Sequence, residues 1–160
     1  MFTRKFSSRT LTWLLRFYPP LLFGGIWVQE IDKDFRSTRV KIRKTLLNIN
    51  AAGTLFGGAL YMATDPFYVL MFYLYFNQKG YTLRAWLKSG HIDYIKPVKS
   101  SLVFYFDLSL EDFDKAEKAL KENGRFVGIF KALGKNKEGE IYVTMDSEVY
   151  LRDLNYQKPA

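Results

Sequence analysis

Asn50-Ala51-Ala52-Gly53-Thr54-Leu55-Phe56-Gly57-Gly58-Ala59-Leu60-Tyr61-Met62-Ala63-Thr64-Asp65 opens a stretch in which, from Ile49 to Asn77, Asp65 is the one charged residue. About 20 apolar residues is also the length of a membrane-crossing helix. Three features oppose that reading. Asp65 and Pro66 sit in the middle, where a charge is costly in lipid. The flanks alternate apolar and polar residues like a half-buried sheet. Gly53, Gly57 and Gly58 resemble a strand-to-helix turn. A helix apolar on every face also suits the centre of a non-membrane domain. The stretch therefore predicts a central helix over 54–76, breaking at Pro66.

Working outward, Thr38 to Leu46 places Val40, Ile42 and Leu46 on one face and Arg39, Lys41 and Arg43 on the other, the period of a strand. Gly25 to Ile31 reads as its predecessor across Asp32-Lys33-Asp34. Leu102, Phe104, Phe106 and Leu108 alternate again. Phe126 to Ala132 and Ile141 to Met145 pair across the turn 134–139. Tyr81 to Leu87 and Ile92 to Ile95 read as one long strand or two. A surface helix is expected over 110–123, with Ser109 as N-cap, Glu111 and Asp112 in its first turn, and Gly124 after its end. An N-terminal helix is expected over 8–18, with Leu11, Leu14, Leu15 and Tyr18 at helical spacing. The order implies an α+β domain spanning 1–160, an antiparallel sheet wrapped around one apolar helix.

Composition narrows the function. The 160 residues carry 24 basic and 16 acidic side chains, a net charge of +8, and no cysteine. Without cysteine there is no disulfide, thiolate zinc site or cysteine nucleophile, and nothing calls for an oxidising compartment. The basic excess suits phosphorylated ligands or anionic surfaces, but no nucleic-acid-binding motif accompanies it. Arg16 and Pro19-Pro20 interrupt the N-terminal segment as a secretory signal, while its Arg and Ser content remains compatible with a transit peptide. The cytoplasm is the expected location. His91 is the single histidine, so neither a metal cluster nor a Ser-His-Asp set can be assembled around it.

The quoted stretch resembles the active-site segment of hot-dog-fold acyl-CoA thioesterases. In their phenylacetate-type branch an Asn precedes a His-Gly-Gly turn, and an Asp follows nine residues after the His. Asn50, Gly57, Gly58 and Asp65 occupy those positions here. Tyr18-Pro19-Pro20, Asp65-Pro66-Phe67-Tyr68 and Ile92-Asp93-Tyr94-Ile95-Lys96-Pro97 resemble an uncharacterised branch of the same superfamily, so the likeness runs from about Leu14 to Leu151. One position departs: Phe56 stands where the family's motif has His.

The resemblance implies a thioester hydrolase acting on acyl-CoA or acyl-carrier substrates. Coenzyme A would enter as part of the substrate and no separate cofactor would be needed. Backbone amides at Gly57 and Gly58 would polarise the carbonyl. Asp65 would act as base or nucleophile, and Asn50 would orient water or substrate. Phe56 and Thr64 would line the substrate. Eight helical residues span about 12 Å, so Asp65 would have to serve a partner's Gly57, which requires a homodimer or tetramer. Other readings stay open. Asp65 before Pro66 also fits a helix N-cap. Asn50 fits a loop bonding its own backbone. Thr64 fits a hydroxyl bonded to the preceding turn. The loss of the motif His favours a non-catalytic hot-dog module that binds acyl thioesters or serves assembly.

Overall fold

The computed structural model describes residues 7–157. In chain order the elements are α1 (Ser8–Arg16), α2 (Pro19–Phe23), β1 (Ile26–Ile31), β2 (Ser37–Ile42), α3 (Gly57–Met62), α4 (Asp65–Gln78), β3 (Leu83–Tyr94), β4 (Leu102–Asp107), α5 (Leu110–Asn123), β5 (Arg125–Lys135) and β6 (Ile141–Asp153). The strands form one antiparallel sheet in the order β1-β2-β4-β5-β6-β3.

The inward row of this sheet includes Val40, Ile42, Phe104, Phe106, Val143, Met145, Val149 and Leu151, all buried. It wraps α4, whose Phe67, Tyr68, Met71, Phe72, Leu74 and Phe76 are buried as well. Each fully buried side chain of this size contributes about 1.5–3 kcal/mol. Tyr68 keeps its polar end satisfied by donating to the Lys131 carbonyl at 2.7 Å. Val69, Leu70 and Tyr73 lie half-buried along one flank of α4.

Several boundaries differ from those expected. The central helix is two helices, because the chain breaks at Ala63 and Thr64, just before the expected point. Pro66 has no N–H to give and therefore belongs in the first turn of a new helix. Thr64 occupies the cap position and Asp65 the first helical position, so Asp65 is not the cap. The N-terminal helix ends at Arg16, and Pro19 starts a second short one. Only Leu11 of its expected apolar stripe is buried; Leu14 and Tyr18 are about half exposed. β2 ends at Ile42, leaving Leu46 89% exposed. β3 is a single strand with a bulge between Leu87 and Ser89. β6 runs eight residues further than its apolar pattern suggests, because the charged residues 146, 148 and 152 alternate with the inward-facing 147, 149 and 151.

α5 has the expected ends. Ser109 and Asp112 form a reciprocal capping box, and Gly124 closes the helix at φ 68, a conformation glycine adopts without steric cost. Its Phe113 stacks on Tyr75 at 3.8 Å between centroids. Beside it, Glu117 accepts from Lys79, from Tyr81 at 3.2 Å and from Lys121 at 2.9 Å. These bonds, that from Lys79 foremost, hold the Glu117 carboxyl down at about 2.

A carboxyl lowered in the folded state stabilises above its unfolded value, about 4.3, and loses that contribution as pH falls through the folded one. Stability measured by urea denaturation should therefore fall between about pH 4.3 and 2. Glu117→Gln should flatten that part of the curve and cost about 1 kcal/mol at neutral pH, a loss limited by solvent screening.

Candidate functional site at the start of the third helix

The loop 43–56 carries the chain from β2 to α3, and one buried side chain organises it. Asn48 is 3% exposed. Its Nδ2 donates to Gly24 O at 2.8 Å and Arg43 O at 2.7 Å, and its Oδ1 accepts from Thr45 N at 2.8 Å. Its carbonyl accepts from Phe56 N at 2.8 Å, while Leu55 N donates to Val98 O at 2.8 Å. The residue just before α3 is thus anchored from both sides.

Asn50 has a different task. Its Oδ1 accepts from Ala52 N at 3.0 Å, Thr54 N at 3.1 Å and Thr54 Oγ1 at 3.1 Å, closing an exposed turn. The side chain is spent on its own loop.

At the start of α3, Phe56 is 56% exposed. The N–H groups of Gly57 and Gly58 meet no acceptor among the described residues, as expected for the first turn of a helix. Tyr94, at the end of β3, lies across this turn and donates its hydroxyl to Gly57 O at 3.0 Å. Burial, then the neighbouring Tyr61, raises the Tyr94 phenol above its ordinary value and keeps it a donor. A Cβ on Gly57 would sit 3.0 Å from the Tyr94 oxygen, and one on Gly58 would sit 2.5 Å from the Phe56 ring. The glycines therefore let two aromatic rings close over the turn.

Thr64 is fully buried and donates to Tyr61 O at 2.7 Å. It shapes the break between α3 and α4. Asp65 is exposed, with no hydrogen-bond or ion-pair partner among the described residues. Partial desolvation by the packed atoms behind it raises its carboxyl above the usual carboxylate range. By helical spacing it shares the half-buried flank of α4 with Val69 and Tyr73.

Within one chain this region is an open surface: Phe56, Gly58, Tyr94 and Asp65 are exposed. Structure brings Gly57, Gly58, Phe56 and Tyr94 together. Asp65 stands a helix length away, and Asn50 is occupied in its turn. His91 is exposed on β3, 3.2 Å from Asp93. Among the described residues no three His, Asp or Glu side chains are grouped to hold a metal, and no helix is long and apolar enough to cross a membrane. Sequence reasoning assigned no role to Asn48 or Tyr94. The paired Asn48-Ile49-Asn50 and the Tyr94 within the quoted 92–97 run were the signals at hand.

A family model, a domain of unknown function (DUF4442), matches residues 7–151. The chain belongs to the DUF4442 family. No curated protein matches it. Among solved structures, a Pseudomonas aeruginosa protein described as "Probable Thioesterase" superposes with a TM-score of 0.80 at 15% identity, over 92% of this chain and 97% of its own. A thioesterase from Haemophilus influenzae gives 0.69 at 13% identity, over 96% of each chain. The PaaI protein of the E. coli phenylacetic acid degradation operon gives 0.62 at 13%, over 96% of this chain and 100% of its own. This DUF4442 chain therefore has the hot-dog fold.

The two asparagines should separate in mutagenesis. Asn48→Ala strips hydrogen bonds from buried backbone groups and should cost about 2–3 kcal/mol. Asn50→Ala, at an exposed turn, should cost about 1 kcal/mol or less. Denaturation midpoints check the ranking.

Proposed function

We propose that this DUF4442 chain hydrolyses acyl-CoA or related acyl thioesters at a site shared between two subunits. Asp65 carries the reading: an exposed carboxylate without a partner among the described residues, raised above the usual carboxylate range by partial burial.

The arrangement of the sheet favours the second subunit. β3 is an edge strand of 12 residues with no proline, and its outward N–H and C=O groups are a template for another strand. α3 and α4 run beside that edge: Tyr94 of β3 covers Gly57, and Tyr61 of α3 lies over Gly90 of β3. A two-fold copy joined through β3 would set the helices of both chains side by side. The Asp65 of one chain would then meet the Gly57 turn of the other, and the half-buried flank of α4 would be covered.

The chemistry follows. The thioester carbonyl oxygen accepts from the free amides of Gly57 and Gly58, which bear the charge that develops as the carbon becomes tetrahedral. Asp65 takes a proton from water, and the oxygen of that water bonds to the carbonyl carbon. The C–S bond breaks, and the leaving thiolate recovers the proton from Asp65. Phe56, in the position of the family's motif His, supplies an apolar wall and no proton. An acyl thioester held but not cleaved is the second reading, and the exposed Phe56 is what favours it.

Free-thiol release from a panel of acyl thioesters tests the proposal. Asp65→Asn should lower turnover by at least ~10²-fold while the fold persists. The rate should also fall as pH drops through the raised pKa of the Asp65 carboxyl, because protonation removes the base, and that acid limb should vanish with Asp65→Asn. Light scattering should report two or four chains. Unchanged hydrolysis in Asp65→Asn overturns the assignment, and a clean monomer removes the shared site.

A further inference from the structure

The opposite edge of the sheet bears an unusual surface. α1 packs against β1, with Leu11 buried and the Arg16 guanidinium donating to Val28 O at 2.7 Å and Gln29 O at 3.0 Å. Its outward side, with α2, exposes Trp13, Leu14, Phe17, Tyr18, Leu22 and Phe23. Trp13 and Phe17 stack on each other at 6.0 Å. A scattered exposed apolar residue needs no explanation, but a contiguous group marks an interaction surface.

The surface continues toward the site. Asn48 ties its loop to Gly24, the residue after Phe23, and its carbonyl receives Phe56 N. The tip of that same loop presents Leu46 at 89% and Leu47 at 76% exposure. One residue, through its side chain and its backbone carbonyl, thus joins the segments bearing Phe23, Leu46-Leu47 and Phe56. Exposed apolar side chains thus stand on segments hydrogen-bonded to one another from α2 to the turn at Gly57.

Charge selects the occupant. No Asp or Glu occurs from residue 7 to 29 or from 35 to 64. Arg9, Arg43 and Lys44 are exposed on these segments. A second copy seated here would bring basic groups against basic groups. Aromatic and aliphatic side chains projecting beside basic ones, with no acid among them, match the interface of an anionic bilayer.

We propose that the α1–α2 face and the 44–48 loop dock on an anionic lipid surface, with Phe17, Phe23, Leu46 and Leu47 entering the headgroup region. The mouth at Phe56 then opens beside the membrane. Resting on the hydrolase reading above, this assigns as substrates long-chain acyl thioesters that partition into lipid.

Flotation of the intact protein with vesicles tests the docking. The vesicles would be phosphatidylcholine alone, or phosphatidylcholine with about 30% phosphatidylglycerol. Binding is expected to the anionic vesicles, with a blue shift in tryptophan emission, and release by about 0.5 M salt. The exposed pairs Leu46→Asn with Leu47→Asn, and Phe17→Asn with Phe23→Asn, should each weaken binding by at least ~10-fold. Their melting temperature, and any hydrolysis of a short water-soluble acyl-CoA, should stay unchanged. Failure of the wild type to float with anionic vesicles, or binding by both pairs of variants as tight as that of the wild type, overturns the proposal. So does a larger assembly for wild type than for the variants by light scattering, which would show the face seating a second copy. Flotation has no catalytic readout: a chain that floats and hydrolyses nothing retains the docking surface and loses the hydrolase reading.

Discussion

Phe72 lies at the point where three layers of the molecule meet. It is fully buried. Its ring approaches Phe113 of α5 at 5.2 Å, and Phe126 and Phe130 of β5 at 5.9 Å and 5.0 Å. Phe76, one turn along α4, stacks parallel to it at 6.4 Å. Aromatic pairs at such spacings add about 0.5–1.5 kcal/mol beyond the area they bury. The sheet curves round α4 because this cluster has no other way to leave water, and α5 closes its open end. The positions of β3, of the α3 turn and of the uncovered sheet edge follow from where α4 is held.

The break between α3 and α4 is a consequence of that packing. α4 is committed to the concave face of the sheet, while the chain arriving from β2 is pinned by Asn48. A short helix that changes direction at Ala63 and Thr64 reconciles the two constraints. Thr64 is buried at the bend, its hydroxyl paired with Tyr61 O, so the bend leaves no orphan hydroxyl group in the interior. Gly90 completes the fit on the strand side, since a Cβ there would fall 2.6 Å from the Tyr61 hydroxyl and 2.3 Å from Met145.

The two ends of the sheet are chemically unlike. At one end β3 offers bare backbone with α3 and α4 alongside. At the other, β1 is flanked by α1 and α2, and Trp27 lies between the guanidinium groups of Arg16 and Arg43, each 4.8 Å from its ring centroid. Backbone hydrogen bonding suits the first edge to another strand. Projecting apolar side chains among positive charges suit the second to a different kind of surface. An elongated sheet can present both without mutual interference.

Sequence periodicity alone determined the α+β class, the order of elements, the capped helix from Ser109 to Gly124 and the apolar character of the central helix. These are local properties, written in alternation and capping chemistry over a few neighbouring residues. The glycine turn and Asp65 were legible as candidates through their spacing. Tertiary structure decided the rest, because it depends on partners distant in sequence. Asn48 and Asn50 are indistinguishable as letters. One is buried between Gly24 and Arg43, and the other closes its own turn. Tyr94 became part of the site only when β3 was laid beside α3. Leu46 continued a strand-like alternation, yet the strand had already ended at Ile42, and the residue points into solvent. Burial is a property of the assembled sheet, so no local pattern could report which of two similar side chains it would enclose.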